Sequence, residues 1–281
     1  MAGGLSPESL PVDAPRTPLQ AGRVNRVYRV AHPAGDLVLR EHATDEFAKS
    51  LGADPVVEVQ AQRLAADAGL APSVLHHDAV AGVVWMPFVP GHALENLWWR
   101  SAARRQAMRV TLEALRSVQP SADIPTLFLE DRIATLQERL FVADRSAARR
   151  LDADCDAARA ALANYEWSQA AGRCLVHSDL GPHNVLVNGD GSLMLLDWEY
   201  AHVGHVFEDF AGLQVAAGHD AAELRPLLLE WCAAQPALDD PAGRLDALVM
   251  ARRTLDAQWL ALVEARGQTT HPSKTDRRTG P

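Results

Sequence analysis

Cysteine is scarce in this chain. It carries three, Cys155, Cys174 and Cys232, far apart and odd in number. Such spacing excludes a disulfide framework and offers no paired ligands for zinc, so free thiols in a reducing cytoplasm are expected. No apolar run is long enough to cross a bilayer, so no membrane partner is expected. The opening stretch MAGGLSPESLPVDAPRTPLQ lacks the basic start and apolar run of a secretory signal. Positive charge is also short: 27 Lys and Arg face 36 Asp and Glu, for a net charge of -9. Nucleic acid is therefore not an expected partner, because neutralising phosphates needs a basic face. What is present is 281 residues, 48% hydrophobic and 22% charged, the make-up of a soluble globular protein with a sizeable core.

Residues 1–18 are rich in Pro, Ser and Gly and are expected to form a flexible arm. AGRVNRVYRV and DLVLREH then read as two strands joined by the turn HPAGD. In PVVEVQAQRLAADAGL, Val57, Ala61, Leu64, Ala65 and Ala68 recur at helical spacing, with Pro55 ahead and Gly69 as the C-terminal cap. Two more strands flank DAVAG, and VPGHA breaks the pattern. The layout is an N-terminal lobe over 19–86, a hinge at 87–91 and a mainly helical lobe over 92–267. A polar tail without periodicity, expected to be disordered, fills 268–281.

The stretch LVHSDLGPHNVLVNGDGSLMLLDWEYA interrupts the helical lobe. Asp179 and Asn184 lie five positions apart on one loop, and Asp197 follows thirteen later across a hairpin. The turn NGDG folds strand 185–188 back on strand 193–196, returning Asp197 to Asn184. A carboxylate and an amide oxygen converging there suit a hard cation such as Mg2+. Asp179, at the loop start, is placed to accept a proton from an attacking hydroxyl. Phosphoryl transfer needs this division of labour. A turn-rich loop whose Asp and Asn side chains only cap backbone groups is the bland alternative for any one of them.

The joint pattern of HSD, Asn, hairpin and Asp resembles the catalytic and metal loops of the protein-kinase-like superfamily. Gly181 stands where protein kinases usually carry Lys, and DWE replaces DFG. No APE follows, and little chain separates Asp197 from EDF. HSDLGPHNVLV and LLDWEYA instead resemble the aminoglycoside phosphotransferase and choline kinase-like family, closest to its thiamine kinase and choline kinase branch, over about residues 19–215. The resemblance implies an α+β bilobal fold: a small antiparallel sheet plus a helix that binds nucleotide, and a larger helical lobe for catalysis and substrate. It implies Asp179 as catalytic base, Asn184 and Asp197 as Mg2+ ligands and Glu199 beside the metal. His177 is expected to brace the loop, His183 to lie at the surface, and Asp209 to be buried and hold the loop by hydrogen bonds.

On the nucleotide side, the resemblance places Gly22 and Asn25 in the phosphate-covering loop, although Arg23 and Val24 depart from the family pattern. In the strand LVLRE, Val38 and Arg40 share a face. Arg40 then takes the cationic position that most kinases give to Lys, and Val38 lies beside adenine. The resemblance pairs Glu58 with Arg40, a solvated Glu being the rival, and has Met86, Phe88 and Val89 line the adenine pocket, with plain core positions the equal alternative for those three.

The implied activity is ATP-dependent transfer to a small hydroxyl-bearing, cationic acceptor, thiamine or a choline-like amino alcohol. An aminoglycoside O-phosphotransferase and a non-catalytic nucleotide-binding homologue are the alternatives. Seven tryptophans offer faces for a cation, but Trp259 shares a helix face with Leu248 and Leu255 and is expected in the core.

Overall fold

The computed structural model describes residues 10–11, 14–21, 25–43, 51–168, 172–235 and 239–270. Gly22, Arg23 and Val24 lie outside them, as do residues 271–281.

The N-terminal lobe is an antiparallel sheet with one helix. Its strands are β1 (Arg16–Ala21), β2 (Arg26–Val30), β3 (Leu37–Glu41), β4 (His76–Asp78) and β5 (Val83–Pro87), in the order β1-β2-β3-β5-β4. Alternation along β3 sends Leu37 and Leu39 to one face, where they pack with Val30, Trp85 and Leu10. Val38 and Arg40 take the other face. Helix α1 (Pro55–Asp67) covers that face through Val59, which packs with Val84 and Met86. Asp54 caps it, accepting from the amides of Val56 and Val57, and Gly69 ends it at φ +74°.

Two features of this lobe differ from the sequence expectation. The arm drawn over 1–18 contains the start of β1, and Leu10 is buried against the sheet. Pro, Ser and Gly content suggested an unattached segment, but pairing with β2 gives Arg16–Ala21 backbone partners. Met86 is also core. It packs with Val59 and Val84, and Val38 packs against them.

In the second lobe, β6 (His92–Ala93) leads into α2 (Ala102–Ser117), α3 (Leu129–Ala143) and α4 (Arg145–Leu162). Asp144 separates α3 from α4 and caps the latter, accepting from the amides of Ser146 and Ala147. Strand β7 (Arg173–Val176) precedes the Asp179 loop, and β8 (Val185–Val187) and β9 (Leu193–Leu195) form its hairpin. Strand β10 (His202–His205) pairs back on β7, and α5 (Phe207–Ala216), α6 (Ala221–Ala233) and α7 (Pro241–Thr270) complete the chain. The last helix runs past the tail boundary drawn at 268. Trp98 stacks on Trp231, and Trp198 is fully enclosed against His177.

A buried polar knot fastens β10 to α5. Glu208 pairs with His202 at 3.1 Å and accepts from the His205 amide at 2.7 Å. His205 itself sits between Trp167 and Phe207, and burial lowers its pKa to about 4. An unfolded histidine takes up its proton near pH 6.5, so the folded state binds fewer protons between about pH 6.5 and 4. Stability is therefore full above pH 6.5 and falls as pH drops through that window, by about 3 kcal/mol from this group. Urea-unfolding midpoints compared at pH 7 and pH 4.5 should show the loss. His205→Asn, which keeps an acceptor for the Phe207 amide, should flatten it. Equal slopes in both proteins would remove His205 as the cause.

Candidate active site

The hairpin places the acidic groups by backbone register. Val185 pairs with Leu195, and the Leu196 amide donates to the Asn184 carbonyl at 2.9 Å. Asp197 is the next residue and so returns beside Asn184. Both amide protons of the Asn184 side chain are directed at Asp179, reaching its carbonyl and its Oδ2 at 2.9 Å each. That leaves Asn184 Oδ1 as an acceptor for a cation. Asp197 adopts φ +65° and Ser178 φ +61°, the left-handed region that side chains avoid.

The loop is held from behind. Buried Asp209 accepts from the amides of His177 at 3.1 Å and Ser178 at 2.9 Å. His177 Nε2 donates to the Leu196 carbonyl at 2.8 Å, while its Nδ1 accepts from the Asp179 amide at 3.3 Å. That imidazole spans both arms of the loop. His183 is mostly exposed, with Nε2 4.0 Å from Asp179 Oδ2.

Arg40 joins the lobes. Its Nε lies 2.8 Å from Glu58 Oε1, while Nη2 reaches Asp197 Oδ1 at 2.7 Å and Glu199 Oε2 at 3.1 Å. Burial alone would lower its pKa, but the three carboxylates outweigh burial and raise it. Glu58 Oε2 also accepts from His42 Nε2 at 2.9 Å. Asn25 donates to Glu199 at 2.6 Å and accepts from the Ala43 amide at 3.0 Å. Burial, and then the neighbouring Asp197, push Glu199 up to about 8 despite Arg40.

These groups share one cavity of about 620 Å³. Asp179, Asn184, Asp197, Glu199, Arg40 and Asn25 line it. Of the residues expected at the adenine, Val38, Met86, Phe88 and Val89 lie outside its wall. Phe88 instead lies under the Arg29 guanidinium, 4.1 Å from its carbon, and its amide donates to the Asp36 carbonyl. Gln62 Nε2 lies 3.7 Å from Met86 Sδ, on the α1 side of the sheet. Trp259, expected in the core, is half-buried on the cavity wall and donates to the Tyr200 hydroxyl at 2.8 Å.

The far end of the cavity was not foreseen. Arg252 Nη2 lies 2.5 Å from Asp179 Oδ1, its Nε lies 2.7 Å from Asp256, and its Nη1 donates to the Ser178 carbonyl. Arg132 donates to Ser178 Oγ at 3.1 Å. The signal was present in two helical stripes. Arg132 falls among Leu129, Leu136 and Leu140 of α3, and Arg252 between Leu248 and Leu255 of α7. A cation inside an apolar stripe marks a helix face that meets a cleft as well as a core.

The profile of the phosphotransferase enzyme family matches residues 16–244. The chain belongs to the phosphotransferase enzyme family. Solved structures agree in fold. Choline kinase LicA from Streptococcus pneumoniae superposes with a TM-score of 0.69 at 17% identity, over 88% of this chain and 85% of that one. A choline/ethanolamine kinase family protein from Mesorhizobium loti gives 0.64 at 20% identity, over 97% and 85%. Spectinomycin phosphotransferase, solved with ADP and spectinomycin, gives 0.58 at 14%, over 93% and 85%. No curated protein matches the sequence. This member of the phosphotransferase family has an α+β, protein-kinase-like fold.

Removing Glu58 should expose what the Arg40 junction contributes. Glu58→Ala leaves two buried cationic or donor groups, Arg40 Nε and His42 Nε2, without their acceptor. Breaking a buried pair in this way is expected to lower unfolding free energy by about 3 kcal/mol in urea titrations. A loss below about 0.5 kcal/mol, the level of an ordinary surface substitution, would mean that the pair contributes little.

Proposed function

We propose that this phosphotransferase transfers the γ-phosphoryl group of ATP to a hydroxyl of a small-molecule acceptor. The observation that carries the reading is the convergence of Asp179, Asn184, Asp197 and Arg40 on one cavity. Solved neighbours carrying AMP and ADP support a nucleotide donor.

Asp179 is the base. Its Oδ2 is oriented by Asn184 and its backbone amide by His177, so the carboxylate meets an acceptor hydroxyl in fixed geometry. Asn184 Oδ1 and the carboxylate of Asp197 would hold Mg2+, and hard oxygen donors of this kind fit that ion. When bound, the metal supplies neutralisation of phosphate charge. Arg40, pre-set by Glu58, is the phosphate-side cation, its planar fork suited to phosphate oxygens. Asn25 holds Glu199 toward the same end of the cavity.

A choline-like amino alcohol or thiamine is one reading of the acceptor, supported by the choline kinase neighbours and by the aromatic pair Tyr200 and Trp259 on the cavity wall. An aminoglycoside would need free carboxylates there, and Asp256 is already paired with Arg252. A cytoplasmic location belongs to the same proposal, in keeping with three buried free thiols.

ATP consumption measured against thiamine, choline, ethanolamine, homoserine and kanamycin tests the reading. Asp179→Asn should lower kcat by about a thousandfold while leaving nucleotide affinity intact. Turnover that survives the substitution would remove Asp179 as the base. Retained nucleotide binding without turnover in the wild type would point to the non-catalytic alternative.

A further inference from the structure

We propose that the acceptor carries a carboxylate, held beside Asp179 by Arg132 and Arg252. This rests on the kinase reading above and replaces the cationic acceptor considered there with an anionic one.

The acceptor end of the cavity is lined by Arg132, Leu136, Arg252, Leu255, Asp256 and Trp259. Its two carboxylates are already engaged. Arg252 bridges them, 2.5 Å from Asp179 and 2.7 Å from Asp256. An ammonium group arriving here would have to separate one of those pairs and approach two guanidinium groups, a like-charge encounter in a partly dry cleft.

Arg132 is the group left over. Its polar contact is the neutral hydroxyl of Ser178 at 3.1 Å, and the Tyr200 ring lies 5.6 Å from its guanidinium carbon. It forms no ion pair among the described residues. Burial lowers its pKa. Glu208 opposes that, and nearby Arg252 adds to it. Buried Glu208 is committed to His202 and to the His205 amide. Asp179 also acts on Arg132 through space, but a cation turned into a cavity with no carboxylate in ion-pair contact among the described residues is poised for an anion from outside. One unmatched guanidinium suits a singly charged, planar carboxylate better than a doubly charged phosphate ester. The walls beyond it, Leu136, Leu255 and Trp259, are apolar and fit a compact hydrocarbon or aromatic skeleton. The arrangement also gives Arg252 a third carboxylate partner, beside Asp179 and Asp256. A carboxylate taking one arm of its fork leaves Asp179 freer to accept the hydroxyl proton.

Binding can be read without turnover. Lactate, glycerate, homoserine and mandelate, each beside its primary amide, are titrated against the full chain. Ethanolamine, choline and glycerol 3-phosphate complete the panel. The signal is the quench of Trp259 emission, taken as wild type minus Trp259→Phe. At least one acid is expected to bind at least tenfold more tightly than its own amide and than the amines or the phosphate ester. Arg132→Gln should abolish that discrimination, and Arg132→Lys should restore part of it. A purely structural Arg132 would instead weaken acid and amide alike. If no acid outbinds its amide, or if amines or the phosphate ester bind more tightly than every acid, the proposal is overturned. ATP binding and consumption are recorded separately. Their failure with acid preference intact would sink the kinase reading and leave the carboxylate site standing.

Discussion

The junction at Arg40 is the constraint on which the rest of the site depends. One guanidinium is held by Glu58 from the N-terminal lobe and by Asp197 and Glu199 from the other. A single buried cation among three carboxylates is an unusual concentration of charge, and it is tolerable because every acid shares the same fork. Take Arg40 away and the three carboxylates repel one another without the cation that offsets them. A phosphate chain entering the cavity meets a cation already oriented, so little reorganisation is required when charge develops.

The Asp179 loop shows a second economy of design, in which backbone geometry does what side chains alone cannot. Ser178 and Asp197 both occupy the left-handed region, a conformation that costs non-glycine residues about 1 kcal/mol or more each. Each is pinned by neighbours. Asp209 receives the Ser178 amide, two arginines reach the same residue, and Arg40 grips Asp197. The resulting kinks turn the Asp179 and Asp197 side chains toward the cavity while the apolar residues around them, Leu180 and Trp198, stay buried.

Much of this was legible in the sequence, for physical reasons. The period of two in LVLRE separated Val38 and Arg40 from the leucines. The NGDG turn, set between two short apolar runs, implied a hairpin and hence the return of Asp197 to Asn184. The losses have causes too. Composition spoke for a flexible arm over 1–18, yet β2 offers an unpaired edge that draws Arg16–Ala21 into the sheet. Strand alternation could not tell a pocket-facing Met86 from one packed under α1, because both are apolar and inward. Arg132 and Arg252 escaped because their meaning lies in tertiary contact. Each is one charged residue on a helix whose neighbours are ordinary, and only the packing of α3 against α7 brings them to Asp179.

Arg252, Asp256 and Trp259 all rise from consecutive turns of α7, whereas the phosphate-handling groups come from β3, α1 and the hairpin. The cleft is thus assembled from separate pieces of chain. Two packed helices, α3 with Arg132 and α7 with Arg252, present the wall that chooses the recipient, and a separate scaffold carries the donor chemistry. Selectivity can then drift by exchanging side chains along those helices, except at Arg252, which also holds Asp179.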